Sequence, residues 1–368
     1  MRTLLILSIV QAAFLSALLF SKKDKTLSTM WLAAWLLLMM VNQFYFLAIY
    51  FYPKALPLEG LLMLSAFPLL SGPVFFLYVA SLTKATVSVK WLHFMPFLIF
   101  PAFIFLIKSD VTIDNGFLIS KSDSYQLFYH YYGYLFAALP LIYISWSYKL
   151  LGSYRKRIHD KFSNLAEINL RWLKTWLQSA LIFFVISFPC IYFATNLELF
   201  DKSVSFKLIA IFNTVYIFIV GYFGFKQTTI FSDIQIEKEA IKKPEKYTNS
   251  GLTEELADVY RRRLKVLMEK ERLYLEANLN AKYLSIRIGI STNTLSQLLN
   301  QYEGKTFYQY INDLRIEAMI GLMKDSLNDN ISMEGLAYES GFNSRSTFVK
   351  AFKSKMGISP SEFRGSLT

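Results

Sequence analysis

The chain reads Ala281-Lys-Tyr-Leu-Ser-Ile-Arg-Ile-Gly289-Ile-Ser-Thr-Asn-Thr-Leu-Ser-Gln-Leu-Leu299 and, further on, Met333-Glu-Gly-Leu-Ala-Tyr-Glu-Ser-Gly341-Phe-Asn-Ser-Arg-Ser-Thr-Phe-Val-Lys-Ala-Phe352. In each stretch a short helical pattern ends at a glycine, a few residues turn, and a second helical pattern begins. The two copies are in register, and a long amphipathic segment joins them. This repeat predicts two helix-turn-helix units in one domain. A helical bundle that merely shares these corners is the alternative.

The spacing within each unit has a steric reason. Two helices that cross at a steep angle need a small residue at the crossing and a left-handed backbone at the corner. Ser285 and Ala337, four residues before the glycines, supply the small side chains. Gly289 and Gly341 are therefore the predicted turn residues of the two units, because glycine adopts the left-handed conformation without strain.

Capping residues mark where the neighbouring helices begin. Ser291 and Asn343, two residues after the glycines, are predicted to cap the second helix of each unit. Thr306 and Gln309 have the spacing of a capping box, which predicts the start of a linker helix between the units. Ser359-Pro-Ser-Glu362 has the same spacing and predicts a short closing helix.

Composition divides the chain of 368 residues into two parts. From Thr3 to Phe225 long apolar runs dominate, so the positive mean hydropathy of +0.33 belongs to this part. From Lys226 onward the sequence is polar and helical in pattern, with 21 Lys and Arg against 18 Asp and Glu, a difference of +3. Most of the formal charge of +12 therefore lies in the apolar part and bears first on membrane topology. DNA binding has to be argued from the motif.

Seven apolar runs are long enough to cross a bilayer, which takes about 20 residues. They lie near Thr3–Phe20, Met30–Phe51, Leu61–Leu82, Trp91–Ile107, Leu127–Tyr148, Trp176–Thr195 and Phe206–Phe225. With the N-terminus outside, the inner loops carry twelve Lys and Arg and the outer segments six, in agreement with the positive-inside rule. Seven spans then bring residue 226 and everything after it to the cytoplasm, where DNA is found.

We therefore predict an all-α protein in which a seven-helix transmembrane bundle precedes a cytoplasmic, all-helical DNA-binding domain with two helix-turn-helix subdomains. The predicted parts are a membrane domain over 1–225, a cytoplasmic linker over 226–252, a connecting amphipathic helix over 253–277 and the DNA-binding domain over 278–368. Within that domain the first unit covers about 281–300, the linker helix 307–325 and the second unit 332–354.

The C-terminal part resembles the AraC family of bacterial transcription regulators. The resemblance runs from about Leu273 to Arg364, and its most specific pieces are Leu284-Ser-Ile-Arg-Ile-Gly-Ile-Ser-Thr-Asn-Thr-Leu-Ser, Phe307-Tyr-Gln-Tyr-Ile-Asn-Asp-Leu-Arg-Ile316 and Gly341-Phe-Asn-Ser-Arg-Ser-Thr-Phe-Val-Lys-Ala-Phe-Lys353. It implies two helix-turn-helix subdomains joined by a linker helix. Ser285 departs from the family, which usually has alanine there, but it is still small. The apolar part looks like the multi-span sensor regions of some family members.

The resemblance also implies a DNA-binding surface, because the second helix of each unit enters the major groove in this family. The first reader helix is then 291–300 and the second is 343–353. Side chains expected to contact base edges are Thr292, Asn293, Ser296, Gln297, Ser344, Arg345 and Thr347. Side chains expected to contact phosphates are Lys350, Lys353 and Arg364. For each of them a merely solvated side chain is the alternative.

The sequence predicts no enzyme, cofactor or metal site. Three scattered histidines and one cysteine, Cys190, give no ligand or nucleophile spacing. The expected partners are double-stranded DNA, the lipid bilayer, an unknown signal ligand, a second copy of the chain, and RNA polymerase if the protein activates. The predicted function is a one-component regulator in the bacterial inner membrane. Two alternatives stay open: a transporter- or receptor-like protein whose cytoplasmic module binds another protein, and a passive anchor for a constitutive regulator.

Overall fold

A computed structural model describes residues 1–22, 26–87, 90–100, 111–114, 117–120, 122–163, 165, 168–196, 202–233 and 252–367. Part of the fourth apolar run (101–107) and most of the polar connector (234–251) lie outside the described residues. The chain divides into two compact units, Met1–Gly152 with Leu170–Gln235, and Ser153–Asn169 with Ile236–Thr368. The segment Ser153–Asn169 lies within the predicted membrane domain, 1–225, but in the structure it groups with the C-terminal unit.

The first unit consists mainly of apolar helices. Its elements are α1 (Arg2–Ser21), α2 (Leu27–Phe51), α3 (Leu58–Ala66), α4 (Pro68–Leu82), the short α5 (Trp91–Phe100), α6 (Asp123–His159, whose last turns belong to the second unit), α7 (Arg171–Asn196) and α8 (Lys202–Asp233). Among the described residues, five helices are long and apolar enough to cross a membrane: α1, α2, α3 continued by α4, α6 and the stretch Lys207–Lys226 of α8. The fourth and sixth apolar runs correspond to α5 and α7, which are not among these five helices. The count of seven spans therefore stays a prediction.

Buried amides join helices of this unit. Gln43 of α2 is fully buried, and its Nε2 donates to Ser8 Oγ of α1 (3.0 Å) and to Thr214 Oγ1 of α8 (2.6 Å). The neighbouring Asn42 donates from Nδ2 to Ser71 Oγ of α4 at 3.1 Å. Hydrogen bonds between apolar helices have few competitors when water is absent, so these amides hold the helices together.

A small hairpin interrupts the otherwise helical architecture. Strand β1 (Thr112–Asp114) pairs antiparallel with β2 (Phe117–Ile119), with Thr112 opposite Ile119. The all-α prediction is therefore correct only at the coarse level. Strands of three residues are too short to show an alternating pattern, and these lie in a segment that the sequence indicates only as a loop.

The second unit contains seven α-helices among its described C-terminal residues. They are α9 (Glu254–Glu269), α10 (Ala281–Ile288), α11 (Thr292–Tyr302), α12 (Phe307–Met323), α13 (Met333–Glu339), α14 (Arg345–Met356) and α15 (Pro360–Gly365). One hydrophobic cluster fills the half around α10 and α11, and another fills the half around α13 and α14. Helix α12 contributes Phe307 and Ile311 to the first cluster and Ile316 and Met319 to the second. The linker helix is thus a rigid spacer shared by both cores.

The connecting helix is shorter than predicted. Helix α9 ends at Glu269, whereas the amphipathic pattern suggested a helix to residue 277. Arg272 has a left-handed backbone (φ 50°), and a short 3-10 turn, Leu273–Leu275, follows. Leu273 is buried in the first hydrophobic cluster, so the chain has to leave the helix axis to bring this side chain into the core. Tertiary packing therefore overrides the helical pattern after Glu269.

Candidate nucleic-acid interface

The two helix-turn-helix corners have the same backbone geometry. Gly289 (φ 84°) and Gly341 (φ 88°) are both left-handed, as the sequence predicts. After each glycine the next amide donates back to the small residue, from Ile290 N to the Ser285 carbonyl and from Phe342 N to the Ala337 carbonyl, both at 3.0 Å. The repeat seen in the sequence is therefore a repeat in three dimensions.

The two reader helices begin at capped ends. Ser291 caps α11 and accepts from Thr294 N at 3.0 Å, as predicted. Helix α14 is capped by Ser344, which accepts from Thr347 N at 3.3 Å. The cap predicted at Asn343 is therefore one residue too early, because the turn after Gly341 takes one more residue than the turn after Gly289. Asn343 instead donates from Nδ2 to Asn278 Oδ1 at 3.5 Å.

Helix α11 presents only part of the expected base-reading face. Asn293 is exposed, and Thr292 and Ser296 are half-buried. Gln297 is only 6% exposed and donates from Nε2 to Gln301 Oε1 at 3.0 Å. In this conformation Gln297 offers almost no surface to a base, so Asn293 is the accessible amide among the four expected base contacts of the first reader.

Helix α14 presents a cationic face. Arg345 keeps 77% of its side chain exposed and pairs with Glu334 of α13 at 3.1 Å. Such an exposed ion pair contributes about 0–1 kcal/mol, so Arg345 can exchange it for another partner. An open groove runs along the helix past Arg345, Lys350 and Lys353, the last two predicted from the sequence as phosphate contacts. The groove places three cations on one accessible face.

Three other expected contacts have structural roles in this conformation. Ser344 and Thr347 form the cap of α14, where Ser344 donates from Oγ to Thr347 Oγ1 at 2.7 Å, and Thr347 is only 6% exposed. Arg364 donates from Nη1 to the Ile331 carbonyl at 2.7 Å and from Nη2 to the Asp329 carbonyl at 2.8 Å. Its guanidinium therefore holds the turn before α13 and is not free for a phosphate, contrary to the expectation.

An internal arginine that the sequence reasoning missed supports both readers. Arg315 of α12 is 1% exposed and donates to the carbonyls of Tyr274 (Nε, 2.6 Å) and Glu276 (Nη2, 2.7 Å). Its guanidinium also lies 5.7 Å from the ring centroid of Phe342, at the second corner. Burial lowers the pKa of Arg315 to about 10, so it stays charged at neutral pH. Arg315 thus ties the turn after α9 and the second corner to the linker helix.

The basic cluster Arg261 to Arg263 on α9 is used within the domain. Arg261 pairs with Glu303 at 3.1 Å and with Asp258 at 3.5 Å. Arg263 donates from Nη1 to the Ile288 carbonyl at 3.0 Å, at the end of α10. These contacts favour a solvated, ion-paired helix face over a phosphate or lipid site for this cluster.

Comparison with known proteins identifies the C-terminal region. Residues 284–366 match a family model described as a helix-turn-helix domain. The chain is also 42% identical over 65 residues to the TCP pilus virulence regulatory protein from two strains of Vibrio cholerae serotype O1. That match covers 18% of this chain and 22% of the relative, so the chain spans about a fifth of the length of these relatives. No solved structure matches significantly. The C-terminal region is an AraC-type helix-turn-helix domain, a DNA-binding module.

Proposed function

We propose that this chain is a membrane-bound transcription regulator whose AraC-type domain reads a specific DNA sequence with both reader helices. The observation that carries the proposal is the repeated corner, with two left-handed glycines in equivalent positions and one helix, α12, shared by both hydrophobic cores. Because α12 fixes the spacing of the readers, they can enter successive major-groove faces about 34 Å apart. The relative described as a regulatory protein supports the same function.

The chemistry and exposure of the side chains suggest which of them contact bases and which contact phosphates. Asn293 suits adenine and Arg345 suits guanine, because each can make two hydrogen bonds to the base edge in the major groove. Ser346 is exposed beside Arg345 and is available as an additional contact. Lys350 and Lys353 carry charges without a fixed hydrogen-bond geometry, so they are suited to phosphates.

We propose that the apolar half holds this reader at the inner surface of the bacterial cytoplasmic membrane. In the proposed topology the N-terminus is outside, seven spans cross the bilayer and the DNA-binding domain is cytoplasmic. The five long apolar helices and the distribution of Lys and Arg over the loops support it. Fusing a reporter that fluoresces only in the cytoplasm after residue 54, and another after residue 368, tests the topology. Fluorescence from the first fusion would contradict it.

We propose that the apolar half also senses a signal. Helices that meet through buried amides, such as α1, α2 and α8 at Gln43, offer packing that a ligand or a change in the bilayer could alter. Such a change would then alter DNA affinity or self-association. A passive anchor would instead leave DNA binding constant under all conditions.

Selection of DNA from a random pool by the full chain in phospholipid nanodiscs tests the DNA-binding function. We expect an enriched motif with two half-sites about one helical turn apart, and an affinity that falls steeply with salt. Enrichment of a motif by the wild type but not by an Asn293→Ala and Arg345→Ala double variant would assign the reading to these side chains. If no motif is enriched at any salt concentration, the module binds a partner other than DNA.

A further inference from the structure

The segment Ser153–Asn169 contains the last turns of α6 and the link to α7, and it belongs to the same compact unit as the DNA-binding domain. A hydrogen bond joins the two ends of this segment, since Tyr154 donates from its hydroxyl to the Ile168 carbonyl at 2.8 Å. Leu165 and Ile168 are buried as well. The segment is therefore an ordered part of this unit, although the sequence assigns it to the membrane half.

The segment is hydrogen-bonded to the start of the first helix-turn-helix. Phe162 and Asn280 form an antiparallel β-bridge. Beside the bridge, Ser163 donates from Oγ to the Leu279 carbonyl at 2.6 Å, and the Ala281 amide donates to the Lys161 carbonyl at 3.0 Å. Ser163 is 1% exposed, so these bonds are shielded from water. Backbone pairing of this kind requires a defined register, which distinguishes it from incidental surface contact.

The same segment reaches the linker helix. Asn312 of α12 is 2% exposed and donates from Nδ2 to the Ser163 carbonyl at 3.0 Å. Asn312 Oδ1 in turn accepts from Arg315 Nη1 at 3.4 Å, so the contact is continuous with the arginine that supports both halves. We define the docking surface as Leu279, Asn280, Ala281, Tyr308 and Asn312.

The end of α6 also approaches the second reader. The ring of His159 packs edge-on against Tyr308 of α12, with centroids 4.9 Å apart. His159 interacts electrostatically with Lys350 of α14 and with Arg155 of its own helix. Lys350 lies in the cationic groove that is the proposed phosphate site. The end of α6 thus lies against the start of the linker helix and within electrostatic range of Lys350 on α14.

We propose that docking of the α6–α7 segment on the docking surface and DNA binding by the reader helices exclude each other, so that the docked segment keeps the domain in a state of low DNA affinity. This inference rests on the proposed DNA-binding function. Lys350 is a proposed phosphate contact and the end of α6 lies near it, so a duplex bound to the second reader would meet this end of the helix. Gln297, nearly buried on the first reader, is consistent with a domain that is not yet arranged for binding.

A disulfide across the β-bridge tests the competition. In the full chain, Cys190 is replaced by serine, and Phe162→Cys and Asn280→Cys are introduced together. Bridge partners have Cα atoms about 4.5–5.5 Å apart, within the range that a disulfide spans. The protein in nanodiscs of phosphatidylethanolamine and phosphatidylglycerol is titrated with a duplex selected from a random pool by the reduced form. We expect oxidation to weaken binding about tenfold or more, a coupling of ordinary size for an intramolecular switch.

The single variants serve as controls, because Asn280 also caps α10 and its loss has to be measured separately. Their affinities should not respond to oxidation. If the disulfide forms and binding is unchanged, or becomes tighter, the competition is refuted; tighter binding would mean that the end of α6 adds phosphate contacts. Failure of the pair to form a disulfide would refute the docking. If neither redox state of the pair nor the parent protein binds any duplex, the DNA-binding function itself is wrong.

A second variant weakens the contact between the α6–α7 segment and the docking surface without introducing a disulfide. Ser163→Ala removes the donor to Leu279, and we expect it to raise DNA affinity about threefold, the effect of losing one hydrogen bond from the docked state. Ser366→Ala is the matched control, since Ser366 likewise donates to a carbonyl, that of Phe363, but lies outside the docking surface. Equal affinities of the two variants would count against the proposal.

Discussion

Gly289 and Gly341 occupy equivalent positions but have different surroundings, which predicts different tolerance to substitution. A Cβ added at Gly341 would lie 2.7 Å from the Tyr274 carbonyl oxygen and 2.8 Å from the Leu275 Cα. At Gly289 its nearest neighbour would be the flexible end of Arg263, at 3.6 Å. The left-handed backbone alone costs a residue with a Cβ about 1–2 kcal/mol.

We therefore expect Gly341→Ala to destabilise the domain well beyond that strain and Gly289→Ala by about 1–2 kcal/mol, which is the strain alone. Hydrogen exchange by mass spectrometry of the full chain measures both, through the protection of amides in α10, α11, α13 and α14. Similar losses of protection in the two variants would contradict the difference in packing at the corners.

Arg345 is the side chain most suited to read a base, and its substitution should change specificity. Arg345→Ala removes a two-bond contact to guanine, so we expect one position of the selected motif to lose its preference, by about 1–3 kcal/mol. Lys353→Ala is the control, because losing a phosphate contact should weaken binding to all sequences and reduce the salt dependence by about one charge. An Arg345→Ala variant that selects an unchanged motif would remove Arg345 from the readers.

Arg315 should be more important for stability than its polar character suggests. Arg315→Met preserves much of the side-chain volume but leaves the part-buried carbonyls of Tyr274 and Glu276 without their donor. A fully buried group left unsatisfied costs about 1–3 kcal/mol, so we expect the two part-buried carbonyls together to lower the opening free energy by about 1–3 kcal/mol, measured by hydrogen exchange of α12. Arg261→Met removes an exposed ion pair and should cost less than about 1 kcal/mol. If Arg315→Met and Arg261→Met destabilise the domain equally, the hydrogen bonds of Arg315 do not stabilise it more than an exposed ion pair does.

At the scale of elements, buried amides connect the apolar helices of the first unit. Gln43→Leu removes the bonds from α2 to α1 and α8, and interhelical hydrogen bonds in membrane proteins contribute about 0.6–2 kcal/mol each. We expect a lower unfolding temperature in detergent micelles for this variant. Gln178→Leu is the matched control, because Gln178 of α7 is exposed. If Gln178→Leu lowers the unfolding temperature as much, the network around Gln43 does not hold the helices together.

Elements that depend on local sequence rules can be predicted from the sequence, whereas elements that depend on distant contacts cannot. The corners, the capping boxes at Thr306 and Ser359, and the linker helix depend on local rules, and the structure confirms all of them. The end of α9 depends on where Leu273 finds its core, which no local pattern contains. Arg364 looks like a solvent-facing contact from helical spacing, but it is held by the carbonyls of Ile331 and Asp329, which are distant in sequence. Long-range pairing also hid the bridge between Phe162 and Asn280.

At the scale of the whole molecule, the attachment of the reader to the membrane helices predicts a difference between the full chain and its C-terminal fragment. Residues 252–367 contain both hydrophobic clusters of the DNA-binding domain but lack the α6–α7 segment. The docking surface of the fragment is then always open. We expect the fragment to bind the selected duplex more tightly than the full chain, and to regulate a reporter gene equally in all growth conditions.

The full chain should instead change reporter expression when conditions change, because it alone contains the segment proposed to compete with DNA and the apolar helices proposed to sense a signal. The full chain with the single substitution Ser163→Ala separates the two effects. It keeps all the apolar helices and weakens only the docked state. Its response should lie between those of the fragment and the full chain. If the fragment and the full chain regulate identically under every condition, the membrane half is an anchor and carries no signal to the reader.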